Sequence, residues 1–145
     1  MFTDDDDLPE IKRCVAVIDA QLPVGKAANA AAVMALTMGA RHPDLVGEVL
    51  VDNAGNSHPG LIPIGIPVLG APKDDLPRIR RKAVEAGIEV IDFPIQGQQT
   101  NDYAEFRRLM SGTEPEKVEY LGVMLLGGRK KVGRIVGKYS LLRQP

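Results

Sequence analysis

Lys26 follows Gly25 in the segment QLPVGKAANAAAVMAL, between an apolar run ending at Asp19 and a stretch rich in alanine. A strand that turns into a helix there would set an ammonium beside the unsatisfied N–H groups of the first helical turn, an arrangement suited to holding an anion. His58, in NSHPGLIP, offers an imidazole that can donate, accept or carry a proton near neutral pH. Gln96 and Thr100, in the polar and turn-rich IQGQQTNDY, add an amide and a hydroxyl. These four are expected to converge on one ligand-binding cleft, because all occupy loops at strand ends, where open α/β sheets bind ligands. Recognition roles suffice for them: charge from Lys26, a switchable donor or acceptor from His58, an amide from Gln96, a hydroxyl from Thr100.

A second cationic group follows the glycine pair Gly127 and Gly128, where Arg129, Lys130 and Lys131 open a helical pattern. Gly127, Gly128, Arg129 and Lys130 thus form a candidate anion-binding turn. GGRKKVG lacks the GxxxxGK(S/T) spacing, so nucleotide hydrolysis has no support. His42 and His58 stand 16 residues apart without a companion cysteine or a HExxH spacing, so no metal site and no cofactor is expected. Cys14, the sole cysteine, lies in an apolar run and reads as an inert core residue.

The elements that must position these groups are legible as alternating strand and helix patterns. CVAVIDA, residues 14–20, reads as a buried strand, followed by an alanine-rich helix from about Gly25 to about Met38 that closes at Gly39. A strand over 46–51 is expected next, then a rim carrying Pro59, Pro63 and Pro67, which deny the backbone donors of a central strand. VLGA, residues 68–71, resumes a strand, and Asp74 or Asp75 caps a helix whose Leu76, Ile79, Ala83 and Ala86 share one face before Gly87 stops it. IEVIDFP supplies a strand. Thr100 or Asn101 caps a helix with Tyr103, Phe106 and Met110 on one face, VEYLGVMLLGG forms the last strand, and a final helix buries Val132, Ile135, Val136 and Tyr139. This order predicts an α/β fold: one domain with a mixed or largely parallel sheet and helices on both faces.

Composition sets the limits. The chain has 145 residues, 18 Lys plus Arg against 19 Asp plus Glu, and a formal net charge of -1, which describes one domain with no bulk charge for coating nucleic acid. Residues 1–11, with four consecutive aspartates, read as a solvated acidic leader and residues 12–145 as the domain. No secretory pattern or membrane-length apolar run is present, so the expected location is cytoplasmic. Arg78, Arg80, Arg81 and Lys82 add a second basic cluster, but aromatic residues make up only 4% of the chain, so RNA contact through base stacking is not favoured.

CVAVIDAQLPVGKAANAAAVMAL resembles the opening strand, Gly-Lys turn and alanine-rich helix of type II peptidyl-tRNA hydrolases, and GIPVLGAPKDDLPRIRRKAVEAGIEVIDFP resembles that fold's second unit. HPG, TNDYAEF and LGGRKKVGRIVGKYSLLR together are more closely similar to a domain-of-unknown-function family of small bacterial proteins grouped in the same superfamily. The resemblance spans roughly Lys12 to Arg143 and implies a peptidyl-tRNA hydrolase II-like fold. It also implies a lysine at the Gly-Lys turn, matched by Lys26, and an acidic and a hydroxyl residue elsewhere, of which Thr100 stands nearest the hydroxyl. FPIQGQQT carries no carboxylate where the hydrolases carry theirs, and Asn29 or Ala28 replaces a second turn lysine. The candidate catalytic residues are therefore Lys26, Thr100 and Asp19, with Asp52 as a further substitute acid. The resulting expectation is a noncatalytic or weakly catalytic module for a small anionic ligand. The alternatives are an esterase acting on RNA-linked peptide and a structural homo-oligomer; a homodimer or higher homo-oligomer is compatible with any of these.

Overall fold

The computed structural model describes residues 11–144. The acidic leader, apart from Ile11, lies outside the described residues. Among the described residues there are six strands: β1 (Lys12–Asp19), β2 (Leu50–Val51), β3 (Ser57–His58), β4 (Val68–Ala71), β5 (Glu89–Pro94) and β6 (Tyr120–Gly128). Four α-helices accompany them: α1 (Val24–Arg41), α2 (Leu76–Glu85), α3 (Tyr103–Ser111) and α4 (Arg129–Val136). The main sheet has the order β4-β1-β6-β5, with β1 and β4 parallel and β6 antiparallel to both β1 and β5. Three strands therefore run one way and β6 runs against them, a mixed sheet.

The two central strands are apolar on both sides because helices cover both faces. Cys14, Ala16 and Ile18 point toward α1, where they meet Ala27, Ala30, Met34 and Met38. Val15 and Val17 point the other way, against Leu76, Ile79 and Ala83 of α2 and Val132 and Val136 of α4. Each fully buried Val or Ile side chain contributes about 1.5–3 kcal/mol, so this strand alone anchors both halves of the core. Cys14 behaves as the sequence implies: it is buried, and burial pushes its thiol up to about 11, away from reactivity.

Several element boundaries differ from the sequence reading, each for a local reason. Helix α1 continues through Gly39, which keeps helical geometry at a modest propensity cost, and stops at His42 because Pro43 follows. The strand expected over 46–51 shrinks to β2, which pairs only with β3 in a separate exposed hairpin, since the flanking prolines keep this segment out of the main sheet. At α3 the cap is Asp102, whose carboxylate accepts the Ala104 and Glu105 N–H groups, while the Thr100 hydroxyl accepts the Asp102 N–H at 3.0 Å. Asp75 makes no capping bond to α2. It accepts the Tyr139 hydroxyl at 2.8 Å and the Arg78 guanidinium at 3.3 Å, tying α2 to the segment after α4. That donated hydroxyl, with Arg78 beside it, holds the Asp75 carboxyl below its usual range. The last helix ends at Val136, not beyond Tyr139; residues 140–142 instead run along β4, with Gly70 donating to Ser140 and Leu142 to Val68.

Gly122 marks a tight point in the α1 half of the core. A Cβ there would lie 2.8 Å from Ile18 Cδ1, 2.9 Å from Met34 Cε and 3.1 Å from the Val17 carbonyl oxygen. The two side-chain tips can shift but the carbonyl cannot, so Gly122→Ala is expected to cost about 1–3 kcal/mol through overpacking. At roughly 2–4 °C per kcal/mol for a chain near this size, thermal unfolding should show a loss of several degrees. An unchanged midpoint would show that the α1 half of the core has room to spare.

Candidate functional site

The carboxyl ends of β1, β4 and β5 share one edge of the sheet, and the loops that leave them carry most of the polar groups singled out above. The chain leaves β1 at Asp19, turns through Ala20 to Pro23 and enters α1 at Val24. Pro23 occupies the cap position without a side-chain hydrogen bond, and the first turn of α1 holds no acidic residue. The N–H groups there are consequently available beside the exposed Lys26. After β5, the short 3-10 turn Ile95–Gln98 folds back toward the same helix start, where the Gln98 amide donates to the Lys26 carbonyl oxygen at 3.3 Å. Gly97 permits this fold, since any side chain on it would strike the rings of Phe93 and Phe106. Gln96, in the same turn, has an amide oxygen that is buried without a hydrogen-bond partner among the described residues.

At the same edge, around the ends of β1 and β4, lies a cleft of about 520 Å³ lined by Asp19, Ala20, Gln21, Gly70, Ala71, Pro72 and Lys73. Asp19 is only 7% exposed and accepts the Gln21 N–H at 2.9 Å. Lys73 pairs with Glu119 at 3.1 Å, an exposed contact of small energetic weight that bridges this cleft to the start of β6. Strand alternation separates the two groups: Asp19 shares the α2 side with Val15 and Val17, whereas Lys26 and the glutamine turn belong to the α1 side.

Of the residues expected to form one cleft, the structure brings Lys26 beside the turn that carries Gln96 and Gln98. Sequence reasoning missed Gln98; its one signal was its place as the second of three glutamines in the IQGQQT stretch. Thr100 lies just beyond that turn, with its hydroxyl engaged at the start of α3. His58 lies in the β2–β3 hairpin, where its Nε2 meets Asp52 Oδ2 at 2.9 Å. Asp52 also accepts the Ala54 and Asn56 N–H groups at 2.9 Å each, so this carboxylate organises the hairpin tip around Gly55, whose φ of 83° only glycine adopts at little cost. Gly127, Gly128, Arg129 and Lys130 sit at the opposite edge of the sheet, because β6 runs antiparallel and Gly128 is paired with Lys12. There Glu89 binds Arg41 at 2.9 Å and His42 at 3.1 Å, and these contacts hold its carboxyl below the usual range. In the second basic cluster Arg80 is engaged by Asp92 at 2.8 Å and Arg78 by Asp75.

A family model described as a protein of unknown function, DUF2000, matches residues 12–143. The chain belongs to this family. In structure, the chain is similar to the protein of unknown function Atu0240 from Agrobacterium tumefaciens strain C58, which superposes with a TM-score of 0.81 at 23% sequence identity, over 90% of this chain and 96% of that one. That likeness shows the fold. No curated protein matches the chain. Among the described residues no helix is long and apolar enough to cross a membrane.

The hairpin tip yields a direct test. The His58 imidazole and then the Asn56 and Ala54 N–H groups draw the Asp52 carboxyl from 3.8 down to about 2. A depressed folded pKa means that this group's stabilisation is present above the ordinary value and is lost as pH falls toward about 2. In His58→Ala the Asp52 carboxyl should titrate at a higher pH, visible in carboxyl-carbon NMR. A midpoint that stays put would show that the backbone N–H groups alone carry the shift.

Proposed function

We propose that this protein is a noncatalytic or weakly catalytic module that binds a small anionic ligand at the start of α1. The observation that carries the reading is the junction of Lys26, the uncapped first turn of α1 and the glutamine turn fastened to it by Gln98. Charge and N–H groups favour an anion there. The unpartnered amide oxygen of Gln96 favours a ligand that also brings an O–H or N–H donor, since a buried acceptor left unpaired costs about 1–3 kcal/mol. A hydroxycarboxylate or a phosphomonoester with a neighbouring hydroxyl combines both features.

A second reading, cleavage of the ester linking a peptide to tRNA, rests on the resemblance to type II peptidyl-tRNA hydrolases. Asp19 supports it as a nearly buried carboxylate at the end of β1 beside the 520 Å³ cleft. The strand alternation that sets Asp19 on the opposite side from Lys26 weighs against the two acting on one ester, because a general base must lie within hydrogen-bond reach of the water it activates.

NMR titration of the labelled protein with small hydroxycarboxylates and phosphomonoesters separates these readings. Binding should shift the backbone amides of residues 24–26 and the side-chain amides of Gln96 and Gln98, and should weaken as salt rises. Lys26→Ala should weaken it by about tenfold, the loss of one charge-assisted contact. Peptidyl-tRNA should be cleaved slowly or not at all. Robust multiple turnover abolished in both Lys26→Ala and Asp19→Asn would overturn the binding-module reading in favour of the esterase.

A further inference from the structure

Helix α1 is uncharged around its whole circumference from residue 27 to residue 40. One side of it is used by the sheet; the other side is exposed and carries Val24, Ala28, Ala32 and Leu36 at four-residue spacing, with Leu36 78% exposed. Helices of this kind are ordinarily buried on both sides. The segment after α1 repeats the pattern. From about residue 46 to residue 64 it forms an arm whose β2–β3 ribbon has both faces exposed, with Leu50 at 52% and Val51 at 66%, and whose return segment exposes Leu61 at 70%. A two-stranded ribbon is marginal on its own in water. Yet this one is firmly built at the root: Gly47 donates to the Leu61 carbonyl at 2.8 Å, and a side chain at Gly60 would collide with the Gly47 and Glu48 carbonyls. Leu45 and Ile62, at its base, pack into the same half of the core as α1, so helix and arm present their apolar residues on one side of the sheet.

We propose that this side is a homodimer interface, with a second copy of the chain covering both α1 and the arm. Area supports it. Of the large hydrophobic residues exposed among the described ones, three lie on α1 and six on the arm. A buried aliphatic side chain removes roughly 60–120 Å² of apolar surface from water, so nine that are about three-fifths exposed supply roughly 500 Å². Homodimer interfaces are about 65% apolar, which places the whole patch near the roughly 800 Å² per partner of a standard stable interface. Neither α1 nor the arm reaches that figure alone. The stripe on α1 is also self-complementary: two antiparallel copies crossing between Ala28 and Ala32 set Leu36 against the partner subunit's Val24, while the alanines let the backbones approach. The acidic leader is chemically unsuited to this side, since its four aspartates would be stripped of water against the uncharged stripe of α1 and would meet Glu48 and Asp52 of like charge on the arm.

Sedimentation equilibrium of the full chain should give about twice the 15.7 kDa chain mass. Leu36→Glu and Leu50→Glu, both at exposed positions, should each weaken dimerisation at least tenfold with an unchanged circular dichroism spectrum. Val84→Glu, as exposed as Leu50 but on α2, should leave the dimer intact. The double variant Val24→Cys/Leu36→Cys should form disulfide-linked dimers on mild oxidation, and neither single variant should, because two copies of one of these positions would lie about 18 Å apart across the two-fold axis. Cys14 is 1% exposed and does not compete. A monomer at about 100 µM chain, a dimer indifferent to either glutamate substitution, or a double cysteine variant that links no better than the singles would overturn the proposal.

Discussion

The pairing of β1 with β6 is the constraint on which the rest of the structure depends. These strands occupy the centre of the sheet and are apolar on both faces, so neither can be satisfied by a single layer of helices. β1 alternates between α1 on one side and α2 with α4 on the other, and β6 does the same through Leu121 and Met124 against one half and Val123 and Leu125 against the other. The helices are thus held by the strands more than by their own caps: α1, α2 and α4 have no side-chain capping bond, and α3, which lies outside this arrangement, is the one capped by its own aspartate. Where packing is secure, capping is dispensable; where it is not, the sequence supplies it.

Element identity was legible because the periodicities are strong. The apolar run around Val15 and Val17 could only be a strand covered on both sides, and the Leu76, Ile79, Ala83 stripe could only be a helix face turned toward the sheet. Membership of a sheet was less legible. Residues 46–51 have the composition of a strand, but pairing is a tertiary event, and Pro59, Pro63 and Pro67 prevented the arm from continuing the ladder. Gln98 was likewise hidden, because an amide in a polar loop gains meaning only once the loop is seen folded onto the carbonyl of Lys26.

Exposure divides the molecule's two sides by chemistry. Exposed basic side chains cluster on α2 and α4, among them Arg81, Lys82 and Lys131, while the α1 side carries most of the exposed large hydrophobic residues and keeps its charges at the ends of α1 and on the segment that follows it. A chain with a net charge of -1 therefore hides a strong local asymmetry. Bulk charge describes what a protein avoids, but the distribution over faces decides what each face can meet. The carboxyl edge lies between these two faces, so a ligand there would sit at the margin of both.

Strand direction decides how the cationic turns relate. In a purely parallel α/β sheet every strand-to-helix loop emerges at one edge, and Gly25-Lys26 and Gly127-Gly128-Arg129 would be neighbours around one crevice. Here β6 is inserted antiparallel, so its loop into α4 emerges where β1 begins, beside Lys12, and the loop from β1 into α1 emerges where β1 ends. Seven residues of extended chain separate Lys12 from Asp19, about 23 Å at 3.3 Å per residue. No small anion spans that distance. The two sequence motifs look alike, each a glycine followed by a cationic residue at the start of a helix, yet the reversal of one strand makes them independent features of opposite edges: the glutamine turn is fastened to the one at Lys26, and Ile88 and Ile11 adjoin the other.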